Sequence, residues 1–197
     1  MLVKDKFLEK TNLIILILSL CFSHNLYAED IHEKIYNYNN TLKNSSANFI
    51  QTDNSDLQEG IIYFGNKRIK IIYGNPQNIT IILSEKKGVY TNHQLKESEF
   101  FSTKKSYIKI FFEIFNNKKF LEKTIMTQSN NQIEISESVD LDNILYNIKL
   151  IYESSPIKLR RLEIIGNNNK VQMGFFDHKT RYEFDKKFFL MIDPYLN

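Results

Sequence analysis

The sequence predicts an α+β fold: one strongly curved antiparallel sheet, with an amphipathic helix before it and a second, Phe-rich helix that either packs on the sheet as an ordinary core helix or covers its concave side. Three observations point there. Apolar and polar residues alternate with period two in short runs broken by turn residues, at spacings of about 8–12 positions. The apolar spacing turns helical in residues 30–44 and again in residues 105–116. Cys21 is the sole cysteine, so residues 29–197 must fold around an apolar core with no disulfide, thiol nucleophile or cysteine metal site.

Residues 1–28 are unlike the rest. Lys4, Lys6 and Lys10 precede an uncharged apolar run from Leu13 to Phe22. Ser23-His24-Asn25 and Leu26-Tyr27-Ala28 follow, before Glu29-Asp30. This is the order of a secretory signal peptide, with cleavage expected near Ala28. A spanning helix needs ~20 apolar residues, which disfavours an uncleaved anchor. A lipoprotein signal acylated at Cys21 is disfavoured because Leu20 is bulky where a small residue belongs. The expected location is the periplasm, with residues 29–197 as a single domain. The whole chain carries a formal net charge of +3 with no basic block or stripe, which argues against nucleic acid as a partner.

Along the expected mature chain, Ile31, Ile35, Tyr38 and Leu42 fall at helical spacing, and Asp30 with Glu33 forms a potential capping box. Asn44-Ser45-Ser46 ends that helix. Ala47, Phe49 and Gln51 then alternate with Asn48 and Ile50. A polar turn is expected over residues 52–58. Further strands are expected at Gly60–Phe64, Arg68–Tyr73, Asn78–Leu83, Gly88–Thr91 and Leu95–Phe101. Gly65-Asn66 and Gly74-Asn75-Pro76 supply turns. In the second helix Ile108, Phe111, Phe112 and Phe115 stand at i, i+3, i+4 and i+7, one wide apolar stripe. Strands resume at Leu121–Gln128, Gln132–Ser136, Asn147–Tyr152 and Lys158–Ile165. Residues 166–169, Gly-Asn-Asn-Asn, turn the chain into a hairpin with Val171–Asp177. A last strand is expected at Tyr182–Ile192.

A catalytic centre is not legible. His24, His32, His93 and His178 share no metal-ligand spacing, and no nucleophile elbow, phosphate loop or HExxH is present. Asp140 and Asp142 read as a solvated turn, and Glu97 and Glu99 as a solvated sheet face. The expectation is therefore a protein that is not an enzyme and needs no cofactor or metal.

The order of elements resembles the LolA family of periplasmic carriers of outer-membrane lipoproteins. The resemblance covers nearly all of residues 29–197. It rests on the opening helix, the Phe-x-Gln strand ending at Phe49-Ile50-Gln51, and the Gly-led strand from Gly60 to Phe64. The basic strand Lys67–Tyr73 follows, running into Gly74-Asn75-Pro76. Then come Ile79–Leu83, the hairpin Ser84–Lys87, Val89-Tyr90, a helix, more strands, and a C-terminal Asp185…Phe188-Phe189 segment. Three features depart from the family pattern. Lys67-Arg68 stand in place of an Arg-Pro step, Ile71 replaces a tryptophan, and the hairpin lacks Asp-Gly.

The resemblance implies an unclosed β-barrel with a helical lid over an apolar cavity. It implies a monomer that shields lipoprotein acyl chains between an inner-membrane lipoprotein-releasing ABC transporter and an outer-membrane acceptor. In the family the arginine of the Arg-Pro step helps hold the lid closed, so Lys67 and Arg68 become candidates for gating. Expected cavity-lining residues are Phe49, Ile69, Ile71, Tyr73, Ile81 and Leu83 on the sheet, with Ile108, Phe111, Phe112 and Phe115 on the lid. An envelope sensor or lipid-binding adaptor on the same shell is the alternative, and an exported enzyme ranks below both. A carrier must cover acyl chains, each buried CH₂ being worth about 0.8 kcal/mol, and still release them. Its cavity should therefore be broad and loosely specified.

Overall fold

The period-two runs pair into one antiparallel sheet of 11 strands. The computed structural model describes residues 30–53, 56–104, 106–141, 143–166 and 169–196. The expected leader and its cleavage site, Lys105, Asp142, Asn167 and Asn168 lie outside the described residues. Ile31–Asn197 forms one compact unit.

Helix α1 (Ile31–Thr41) is followed by β1 (Ser45–Asp53), β2 (Asp56–Gly65), β3 (Arg68–Tyr73), β4 (Ile79–Ser84), β5 (Lys87–Asn92) and β6 (Glu97–Ser102). Helices α2 (Tyr107–Asn116) and α3 (Lys118–Leu121) come next. Then come β7 (Ile125–Ser129), β8 (Gln132–Leu141), β9 (Ile144–Ser154), β10 (Ile157–Gly166) and β11 (Asn169–Lys179). The spatial order is β6-β5-β4-β3-β2-β1-β11-β10-β9-β8-β7. Two meanders are thus joined where β1 pairs with β11, Phe49 facing Phe175 and Gln51 facing Met173. Strands β6 and β7 are the free edges, so the sheet is not closed. A twisted sheet of this many strands curls rather than lying flat. Helices α2 and α3 carry the chain from one edge to the other.

Several boundaries differ from the expectation, each for a local reason. Helix α1 stops at Thr41, and Asn44 takes a left-handed conformation with φ 67°, the role glycine commonly plays after a helix. Glu33 reaches Lys118 of α3, 3.0 Å away, tying the two helices together. The expected polar turn over residues 52–58 is mostly ladder: Asp53 pairs with Asp56 and Gln51 with Gln58. Leu121 does not begin a strand. It ends α3, fully buried, after Asn117 accepts the Phe120 N–H and caps that helical turn. Strand β8 runs on to Leu141 and β9 starts at Ile144, so Asp140 belongs to the ladder. The hairpin between β10 and β11 is closed by Gly166 opposite Asn169.

The expected strand at Tyr182–Ile192 is not one. Asp185 turns the chain, its Oδ1 accepting the Lys187 N–H at 2.7 Å. Phe184, Phe188 and Phe189 then meet each other, with ring centroids 4.8–5.1 Å apart. They pack with Met191 on Tyr63, Ile82 and Val89. Arg68 donates to the Phe189 carbonyl at 3.1 Å, and Lys70 to that of Phe188 at 3.3 Å. Lys70 also lies 4.3 Å from the Phe188 ring centroid. The segment satisfies its backbone with side chains and buries its rings on the sheet, so it needs no ladder.

The main core lies on the opposite face of β2 and β3, shared with all three helices. At one end α1 plugs the sheet. Asn39 sits within its apolar stripe, donates to the Ile114 carbonyl at 3.3 Å and accepts from the Tyr152 hydroxyl at 3.1 Å. Tyr38 accepts the Leu159 N–H at 2.9 Å. Burial holds both phenols above the usual tyrosine range. Buried polar groups are stable only when partnered in this way.

Candidate functional site

At the end of the inner face away from α1 the side chains stop meeting, leaving a pocket of about 310 Å³. Its walls come from both meanders. Ile62, Ile69, Ile71, Tyr73, Ile81 and Leu83 line one side; Ile148, Leu162, Ile164, Val171 and Met173 line the other. Ile108 and Phe111 of α2 face it, and Gln51 and Asp53 of β1 form its polar part. Strand geometry explains the grouping: residues two apart share a face. Ile62, Ile71 and Ile81 lie side by side across β2, β3 and β4. Leu162 pairs with Met173 and Ile164 with Val171. A bulge in β10 beside Leu159 shifts the alternation and turns Leu162 and Ile164 inward.

Of the residues expected to line a cavity, Ile69, Ile71, Tyr73, Ile81, Leu83, Ile108 and Phe111 are brought together here. Phe49, Phe112 and Phe115 are not. Phe49 is completely buried beneath the pocket, edge-on to Tyr73 at 5.2 Å between centroids. It fits because Gly60 faces it across the ladder, where any Cβ would come within 2.8 Å of the Phe49 ring. Phe115 stacks on Phe64 at 5.9 Å and meets Phe111 at 4.5 Å. Phe112 turns with Phe115 toward a separate shallow groove, lined also by Lys67 and Arg68. The helix is greasier than its stripe implied: Ile114, outside the i, i+3, i+4, i+7 set, is fully buried.

The second-meander walls were missed. Ile148, Leu162 and Ile164 stand in the period-two runs read as strands, but nothing in those runs says which face turns toward a hollow. A β-bulge is also invisible to simple alternation.

Lys67 pairs with Glu85 at 3.4 Å, and Arg68 is held by the Phe189 carbonyl. The histidines are apart. His93 bridges Thr80 and Tyr195, each at 2.8 Å, while His178 Nε2 donates to the Leu159 carbonyl at 2.9 Å. Asp140 accepts the Asn143 N–H at 3.1 Å. Among the described residues no group of three or more His, Cys, Asp or Glu is placed to hold a metal. None of the described helices is long and apolar enough to cross a membrane.

No family model matches the chain, and no curated protein matches its sequence. Among solved structures, LprF from Mycobacterium bovis is 9% identical at a TM-score of 0.33, covering 75% of this chain and 91% of its own. PNGF-II is 7% identical at a TM-score of 0.35, covering 75% of this chain. This chain spans 29% of the length of PNGF-II. Likenesses this distant assign neither a family nor a function.

Proposed function

We propose that this chain is a periplasmic carrier of acylated lipoproteins. In this reading it is exported behind residues 1–28, cut near Ala28, and works as a monomer. It receives cargo from an inner-membrane lipoprotein-releasing ABC transporter and yields it to an outer-membrane acceptor. Its task is enclosure, with no cofactor and no catalysed reaction.

The observation that carries the reading is the hollow beside α2. Protein interiors close up to a packing density near 0.74, with few voids larger than a water molecule. An apolar hollow of about 310 Å³ that opens beside the exposed Asp53 leaves isoleucine, leucine and valine side chains facing water, and an acyl chain would cover them. The volume lies at the lower end of ligand pockets, roughly 300–1,000 Å³. It suits one acyl chain as it stands, and several chains require α2 to lift as a lid. Helix α2 links the two sheet edges outside the ladder, so in this reading lifting it breaks side-chain packing and the Asn39–Ile114 hydrogen bond but no strand pairing. Lys67 and Arg68 line the groove beside Phe112 and Phe115, and in this reading they gate that movement. The signal-like leader and the family-like order of elements agree with the same reading.

The test compares wild type with Phe111→Asp, both purified from the periplasm and analysed by mass spectrometry. Wild type is expected to carry acylated protein or lipid. The variant, with a carboxylate in the pocket wall, is expected to be folded and empty. Equal cargo on both proteins would remove α2 from the site. Depletion in cells should strand lipoproteins at the inner membrane; unchanged sorting would exclude the carrier role.

A further inference from the structure

The pocket changes character along β1. The strand's inward residues run Ala47, Phe49, Gln51, Asp53, and the first two are buried, the third half-buried, the fourth exposed. Gln51 and Asp53 lie opposite Met173 and Val171, both of them pocket walls. The Tyr73 hydroxyl donates to Gln51 Oε1 at 2.8 Å, placing a third polar group there. The pocket is therefore polar at one end and hydrocarbon elsewhere.

That polar end is one-sided in charge. Asp53 is the one charged side chain among the described residues lining the pocket; no lysine, arginine or histidine joins it. The cation nearest along β11, Lys170, neighbours Val171 and so turns to the other sheet face, where it pairs with Glu163 at 3.5 Å. A site for free fatty acids or phosphorylated lipids gains from a cation beside the head, which offsets its charge. Here the head would meet a carboxylate.

Building on the carrier reading, we propose that Asp53 sets the head-group selectivity of the pocket. The ligands it takes are acyl chains whose polar end is an uncharged hydrogen-bond donor, such as the N–H of an amide-linked acyl group or the free hydroxyls of an acylglycerol, or a cation. Free carboxylates and phosphates bind more weakly. Asp53 accepts from the head, and the Tyr73–Gln51 pair fixes the polar boundary behind it.

Calorimetric titration of wild type and Asp53→Asn with monolauroylglycerol and with laurate, at pH 8, tests this. Two like charges at a half-solvated mouth are worth on the order of tenfold in affinity. Wild type should therefore bind the glycerol ester about tenfold more tightly than laurate. Asp53→Asn should close the gap by strengthening laurate, leaving the ester within about twofold. Equal wild-type affinities, or a gap that the variant preserves, would overturn the selectivity role alone. Failure of both ligands to bind would overturn the carrier reading and this inference with it.

Discussion

Strands β2 to β4 carry apolar side chains on both faces, and the two faces end differently. On the inner face Ile62, Ile69, Ile71, Ile81 and Leu83 border empty space. On the outer face Tyr63, Lys70 and Ile82 are covered by the chain's own Phe184, Phe188 and Phe189. The outer cover is fitted closely: a Cβ on Gly65 would come within 2.7 Å of the Phe189 ring. Similar residues in the same strands thus make a finished contact on one side and an unfinished one on the other. The self-covered face is structural; in the carrier reading proposed above, the hollow is where a guest would be held.

The largest effect that separates the two faces is on the outside. Phe189→Ala removes a buried ring from the fitted cluster and should cost about 3 kcal/mol in urea unfolding, with ligand affinity unchanged. A matching loss of affinity would mean the faces are not independent. The inner face should behave in reverse. Ile71→Ala removes a side chain that already borders a void, so its cost should fall near or below the ~2 kcal/mol floor for core truncations. Its affinity for a monoacyl ligand should fall about tenfold, read by calorimetry. Full retention of affinity would take Ile71 out of the ligand's path.

A smaller effect belongs to the packed end of the inner face. Burial holds the His178 imidazole below its ordinary value of 6.5, outweighing the hydrogen bond to Leu159, with Arg160 and Lys158 pushing the same way. The unfolded chain therefore takes up a proton that the folded one refuses. Stability should be full above about pH 6.5 and decline as the pH falls below it. His178→Gln should flatten that slope in thermal melts between pH 7 and 5 while leaving ligand binding unchanged. An unaltered slope would put the titration elsewhere.

The same contrast explains what was legible in the sequence. Alternation located most strands, and the i, i+3, i+4, i+7 spacing located α2, because both periods follow directly from backbone geometry. Alternation put Ile69 and Ile71 on one face of their strand and Ile81 and Leu83 on one face of theirs; the register that sets them side by side comes from the structure. Tyr182–Ile192 misled because its aromatics look like strand residues, yet the carbonyls of Phe188 and Phe189 are held by Lys70 and Arg68, more than a hundred positions away. Phe49 misled in the other direction: its inward face was correct, but its depth depends on Gly60 across the ladder. Depth and wall partners are tertiary properties, and Leu162 and Ile164 became walls only through the bulge beside Leu159.

The most direct test follows isoleucine, leucine and valine methyl groups by NMR while monolauroylglycerol is titrated in. The account predicts shifts and ligand contacts at Ile69, Ile71, Ile81, Leu83 and Ile164, with Ile82 and Val89 on the outer face silent. Contacts confined to Ile82 and Val89, or saturating ligand with no inner methyl perturbed, would contradict it.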